Sequence, residues 1–188
     1  QHILERLMRR LAARGRQDDL AGCARLFTAA PTKAHREKLM AGFSKAIEGQ
    51  ALPLLPDALA KQLRQLDNPP FALRVRLGDE AALGQALGVI ADGSKPARER
   101  IELIRAAGDV DLGQLKATLL GLVQSEPDAG VVTAALLVLQ RINDPALGQA
   151  VARRLHDLPA AARSTAISFL ASRANWSGQL LDAVDAGR

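Results

Sequence analysis

The sequence predicts an all-α fold: an α-solenoid of antiparallel helix pairs, about twelve helices wound into a right-handed superhelix. Three observations carry that expectation. Apolar residues make up 48% of the chain and are nearly all Leu, Ala, Val and Ile, with aromatics at 3% and no Tyr. That composition favours helices over strands and is too hydrophobic for a disordered chain. A short phrase also recurs. Leu83-Gly84-Gln85, Leu112-Gly113-Gln114 and Leu147-Gly148-Gln149 each follow a turn pair ending in Asp, and Ser177-Gly178-Gln179 follows Asn175-Trp176; the four glutamines lie 29, 35 and 30 residues apart. Finally, one-sided helices alternate with helices that are apolar all round, as inner and outer layers require.

Taken in order, residues 2–14 put Ile3, Leu4, Leu7, Met8 and Leu11 on one stripe, with Arg6, Arg9, Arg10 and Arg14 largely opposite, the pattern of a surface helix. Gly15 stops it. Residues 17–29 form a second helix, and Pro31 opens a third that ends near Gly49. The stretch ALPLLP (51–56) breaks the chain, and short helices follow at 57–66 and 70–77. A regular series then occupies 79–91, 96–107, 111–124, 128–142, 145–157, 160–173 and 176–186. Its joints carry turn chemistry: Gly93-Ser94-Lys95-Pro96, Gly108-Asp109, Glu126-Pro127-Asp128, Asn143-Asp144-Pro145 and Leu158-Pro159. Pro in a first turn, Asp as an N-cap and Gly or Asn past a helix end are the expected punctuation. The segment 131–139 (VVTAALLVL) has one weakly polar residue and must be covered on most sides. The Gly of Leu-Gly-Gln reads as a close-packing position between stacked pairs, with Leu in the core and Gln exposed. The chain is thus one domain, 1–188, with a basic, less regular part (1–50), a Pro-containing part (51–78) and regular repeats (79–188).

Leu139-Gln140-Arg141-Ile142, then Asp144-Pro145 and an amphipathic helix, resembles a HEAT repeat. More specifically, LPAAARSTAISFLASRANWSGQLLDAVDAGR (158–188), RLAARGRQDDLAGCARLF (10–27) and LPLLPDALAKQL (52–63) together resemble the helical segment of planctomycete-type haem-binding, membrane-bound-dehydrogenase-like proteins. In that family a sugar-dehydrogenase-like β-propeller precedes the array and a c-type cytochrome domain follows it. The resemblance implies a scaffold section of a larger oxidoreductase in the periplasm or cell envelope. The stretch opens at Gln1 and reads as a section of a longer chain. It has no Cys-x-x-Cys-His motif, so no cofactor is expected within it, and no catalytic residue carries over. Partners are expected to be flanking domains or another protein. No run of about 18 apolar residues is present, so no membrane insertion by this segment is expected.

Residues 1–40 hold nine Lys/Arg against four acids, while the remaining 148 hold sixteen of each. The candidate partner-binding residues are therefore Arg6, Arg9, Arg10, Arg14 and Arg16. They read either as an ordinary solvated face or as a site for an acidic protein or a nucleic-acid backbone; without accompanying aromatics, nucleic acid is the minority reading. An apolar stripe on the same helix, if left uncovered, would drive weak self-association. The other chemistry-bearing residues have plain structural readings. Cys23 reads as a buried thiol. His2, His35 and His156 lack metal-ligand spacing. Ser164 and Ser168 read as hydroxyls bonded back to their own helix. The acidic pairs Asp18-Asp19, Asp79-Glu80 and Asp109/Asp111 read as helix-start residues, and Trp176 as a seal between helices. Nucleophile elbows and phosphate-binding glycine loops are absent from the sequence.

Overall fold

The computed structural model describes residues 3–48, 53–66 and 69–185. Twelve α-helices occupy the described residues: α1 (Ile3–Arg14), α2 (Gln17–Ala29), α3 (Lys33–Ile47), α4 (Asp57–Arg64), α5 (Phe71–Arg76), α6 (Glu80–Ala91), α7 (Ala97–Gly108), α8 (Leu112–Ser125), α9 (Ala129–Leu139), α10 (Pro145–Arg154), α11 (Ala160–Ala171) and α12 (Ala174–Asp185). A single 3-10 turn, Leu155–Asp157, follows α10. The all-α class and the helix number agree with the sequence. His2 and residues 49–52, including the expected end of the third helix at Gly49 and the start of the Pro-rich break, lie outside the described residues.

Several boundaries moved by two or three residues, among them the ends of the helices expected over 57–66, 145–157 and 160–173, now at Arg64, Arg154 and Ala171. The helix expected over 128–142 ends at Leu139, where Gln140 and Arg141 enter a turn. The last helix begins at Ala174, two residues early. The N–H groups of Trp176 and Ser177 both bond the Arg173 carbonyl, so what reads as a joint at Asn175-Trp176 is already helical. Elsewhere the expected punctuation holds. Asp111 accepts N–H bonds from Gly113 (2.8 Å) and Gln114 (3.3 Å), Asp128 from Val131 (2.9 Å), Asp144 from Ala146 (2.9 Å) and Asp79 from Ala82 (2.8 Å), so acidic residues cap four helix starts. Thr32 rather than Pro31 caps α3.

The chain divides into two compact units, residues 1–82 and 83–188. In the first, α1 lies against α3 and α2, and α2 against α4. Met8, Leu20, Cys23, Phe27, Leu39, Phe43, Leu59 and Leu63 fill its core. Gly15 ends α1 in the left-handed region (φ +62°), which only glycine enters without strain. The α1–α3 crossing depends on Gly42: a Cβ there would sit 2.3 Å from the Glu5 carbonyl oxygen, so the two backbones approach at a distance no side chain permits. Arg76 donates to the Ile47 carbonyl (2.9 Å), satisfying the end of α3.

In the second unit α7 packs on α9 and α9 on α11, while α8 packs on α10 and α10 on α12. The hairpin partners α7–α8, α8–α9, α10–α11 and α11–α12 join these two series. Val131, Val132, Ala134, Ala135, Leu136, Val138 and Leu139 of α9 are all buried, so the helix that is apolar all round is indeed the covered one. A buried ion pair fastens one end of this unit. Arg100 of α7 donates to Glu126 (2.6 Å) and to the Ile90 carbonyl of α6 (3.0 Å), and Glu126 accepts the Asp128 N–H (3.0 Å) at the turn into α9.

The Leu-Gly-Gln phrase needs correction. Gly84 and Gly178 have nothing within 4 Å of where a Cβ would stand, and at Gly113 that Cβ would meet only the capping Asp111. Gly148 alone is tightly enclosed, by the Trp176 ring and the Gln179 side chain rather than by another backbone. Gln85, Gln114 and Gln149 are exposed, but Gln179 is half-buried; Leu83 and Leu147 are buried and Leu112 only partly. The three Leu-Gly-Gln copies mark helix starts, where the Asp of the turn before them supplies the cap, while Ser177-Gly178-Gln179 lies inside α12; the phrase is not a general packing motif.

Gly42→Ala is expected to destabilise the first unit by about 1–3 kcal/mol through overpacking. Gly84→Ala, in open helix, should be neutral or stabilising by up to about 1 kcal/mol. Urea midpoints of the two variants test the contrast. Arg100→Met, which strands a buried carboxylate, should cost about 3–5 kcal/mol. Adding Glu126→Leu should return part of that loss, a double-mutant cycle giving coupling above about 1 kcal/mol.

Candidate interaction surfaces

Helix α1 presents its candidate residues by a simple angular argument. Side chains advance about 100° per residue, so a helix seated through Met8 and Ala12, both buried, turns Arg6, Arg9, Arg10 and Arg14 outward. All four are exposed, as is Arg16 just before α2. Their chemistry is not equal. Arg14 faces Asp19 at 3.6 Å, which partly neutralises it. Among the described residues no ion pair engages Arg6, Arg9, Arg10 or Arg16. Beside them Lys45 of α3 pairs with Glu5 at 2.5 Å, tying the crossing at its rim. The first unit as a whole holds fourteen Lys/Arg against nine Asp/Glu, and the second holds eleven of each.

The apolar stripe expected on α1 is split. Met8 is buried and Leu4 and Leu11 are packed on the core, but Ile3 is 77% and Leu7 40% exposed. The close approach at Gly42 sets the rotation of α1: it centres contact on the Glu5–Met8–Ala12 side and leaves Ile3 and Leu7 on the same side as Arg6 and Arg10. The outer face is therefore mixed, apolar and basic together, rather than purely charged.

A groove of about 660 Å³ in this unit, lined by Arg36, Glu37, Met40, Ala41 and Ser44 of α3 and by Leu66 and Pro70, has no signature in the sequence. It pairs an apolar floor with a charged rim, but its lining residues come from segments far apart in the chain.

The remaining candidates occupy separate places. Cys23 is buried and its thiol is pushed up to about 11, by burial first and by the nearby Asp19 second. His35 is half-buried at the start of α3, with Nδ1 2.6 Å from the Thr32 hydroxyl; His156 is exposed on the 3-10 turn. Among the described residues no three His, Cys, Asp or Glu side chains gather as a metal site, and no helix is long and apolar enough to cross a membrane. Ser164 and Ser168 point to solvent from α11. The back-bonding expected of them is found instead at Ser125, to the Gly121 carbonyl, and at Ser177, to that of Arg173. Asp18 and Asp19 lie in the first turn of α2, where they meet the positive end of the helix dipole, and Asp109 faces Arg141 at 3.6 Å. The Lys116 ammonium, bonded to Asp144, and the Ala146 N–H together hold the Asp144 carboxyl below its ordinary value.

Trp176 seals α12 against its neighbours. Its ring stacks on Phe169 at 4.4 Å, Arg173 lies 4.8 Å over it, and Nε1 donates to the Asp144 carbonyl at 3.1 Å. The sequence reading missed a periodic device here. Arg141, just past α9, donates to the Gly108 carbonyl that ends α7 (2.8 Å), and Arg173, just past α11, donates to the Gln140 carbonyl that ends α9 (2.9 Å). Each reaches back 33 residues and satisfies an orphan carbonyl at the negative end of a helix. The signal was legible as two arginines at equivalent helix ends. On α12 the outer side carries exposed Leu181 (65%) and Val184 (60%) with exposed Asp182 and Asp185.

With its thiol buried and raised, Cys23 should react with a disulfide reagent at neutral pH only after unfolding; rapid labelling of the native protein would contradict its placement. Compared with protein-family models, curated proteins and solved structures, the chain matches none.

Proposed function

We propose that the chain is a non-catalytic scaffold, a right-handed α-solenoid of the HEAT type that holds flanking domains of a larger, exported, haem-containing dehydrogenase-like protein. The observation that carries the scaffold reading is the repeated stacking in the second unit. Alternate helices form two series, α7–α9–α11 and α8–α10–α12, and in the first of them Arg141 and Arg173 each tie one helix end to the one before. Stacking that repeats in this way lets each layer depend on its neighbours, and extended arrays of this kind serve as spacers and docking faces. The setting within a dehydrogenase-like protein, and with it the periplasm or cell envelope, rests on the resemblance of residues 10–27, 52–63 and 158–188 to that family. It is tested by the adjoining coding sequence, which should specify a β-propeller before this stretch and a Cys-x-x-Cys-His segment after it. Purified protein should show neither a Soret band nor dye reduction, and either signal would sink the non-catalytic reading.

A second reading is supported by the outer face of α1. Three exposed arginines of α1 (Arg6, Arg9 and Arg10) and Arg16 just beyond it, without carboxylate partners among the described residues and on the unit that carries the net positive charge, suit an acidic protein or a nucleic-acid backbone. Binding to a heparin column or a labelled oligonucleotide should weaken steeply with salt, by a log–log slope of about 0.9 for each phosphate neutralised on a duplex. Arg6→Ala, Arg9→Ala and Arg10→Ala should each lower the slope more than Arg14→Ala, because Asp19 already offsets Arg14.

A further inference from the structure

We infer that the outer face of α1 receives the outer face of α12 from a second copy of this chain. The inference rests on the second reading above, that the basic helix has an acidic partner, and it names that partner. Both faces break the usual separation of apolar and charged surface, and they do so in complementary ways. On α1, Ile3 (77% exposed) and Leu7 (40%) stand one turn apart with Arg6 and Arg10 beside them. On α12, Leu181 (65%) and Val184 (60%) stand three residues apart with Asp182 and Asp185 beside them. Each helix has 12 residues, about 18 Å of length, so the two faces match in extent as well as in sign.

Gly178 adds a third point of fit. It lies one turn before Leu181 on the same exposed side of α12, and nothing stands within 4 Å of its absent Cβ. Among the described residues this glycine packs against no neighbour, yet it costs helix stability relative to Ala. On an intermolecular face it would let the Leu7 side chain, or the α1 backbone beside it, come close. Four apolar side chains removed from water supply the attraction. The Arg–Asp pairs at the rim set the partner and the register, and salt weakens them. The opposed faces are unlike surfaces of one molecule, so each copy offers one of each, and the same contact made reciprocally closes a dimer while made in sequence it builds a ring or a chain.

Sedimentation velocity on the full chain over a concentration series tests this. The wild type should associate with a dissociation constant of about 10–100 µM, the strength of a small mixed interface, and its average mass should rise above that of a monomer with concentration. The double variant Arg6→Glu/Arg10→Glu and the double variant Asp182→Arg/Asp185→Arg should each associate at least about tenfold more weakly. All four positions are exposed, so circular dichroism should show both variants folded. Mixing the two variants makes both kinds of contact complementary again, and association should return to the wild-type level. A wild type that stays monomeric, a variant that associates like the wild type, or a mixture that stays apart overturns the inference. The oligonucleotide assay distinguishes the two ideas. If the basic face serves nucleic acid alone, Arg6→Glu/Arg10→Glu loses that binding, Asp182→Arg/Asp185→Arg keeps it, and neither changes the mass of the protein. If binding to the oligonucleotide is lacking altogether while the mixing experiment succeeds, the acidic partner is the chain itself.

Discussion

The second unit is organised by the need to cover α9. Seven of its eleven residues are buried apolar side chains, so it is stable only with neighbours on most sides, and α7, α8 and α11 supply them. Each of these helices is one-sided and gains its own cover by lying on α9. At roughly 25 cal/mol per Å² of apolar surface, mutual burial of this kind is the main favourable contribution. The stacking order of the unit follows from it, since no helix pair here can hide its apolar face alone.

Burying helices in this way creates a second requirement, the satisfaction of their ends. The polar contacts of the second unit are concentrated there. Arg141 and Arg173 take the terminal carbonyls of α7 and α9, Asp111, Asp128 and Asp144 take the first N–H groups of α8, α9 and α10, and Arg100 serves the end of α6 while pairing with Glu126. The Arg100–Glu126 pair is nearly inaccessible, with side chains 3% and 8% exposed. A pair of this kind gains little over an apolar replacement, yet it cannot lose one member cheaply. Because both residues also hold backbone groups, the pair fixes how α6, α7 and the α8–α9 turn meet.

The first unit solves the same problem differently. Its tightest crossing is made by removing a side chain, at Gly42, rather than by interlocking large ones. That choice decides the rotation of α1, and the rotation decides which residues of α1 remain available to a partner. The exposed face of α1 is in this sense a by-product of the packing. Had contact been centred on Leu4 and Leu7, the arginines would have formed an isolated charged ridge; as packed, Arg6 and Arg10 share their face with Ile3 and Leu7.

Much of this was legible in the sequence. Helix class, helix number, the positions of most turns and the capping acids all follow from local rules, because a turn residue or an N-cap acts within four residues of itself. The exposure of Arg6, Arg9, Arg10, Arg14 and Arg16 and the burial of Cys23 and Trp176 were legible for the same reason: charge and apolar size at helical spacing state which side faces water. What the sequence did not determine was anything that depends on a distant partner. Four Leu-Gly-Gln or Ser-Gly-Gln phrases look alike, but only Gly148 is enclosed, because only there does a tryptophan 28 positions on arrive opposite it. Gly42 carries no phrase at all and yet sets the closest backbone contact. The splitting of the α1 stripe and the Arg100–Glu126 pair likewise belong to tertiary structure alone, and of the arginine ties across 33 residues only the placing of two arginines at equivalent helix ends was legible, not the carbonyls they reach. Periodicity gives a helix its two sides, and only the neighbour that packs against it decides where the boundary between them falls.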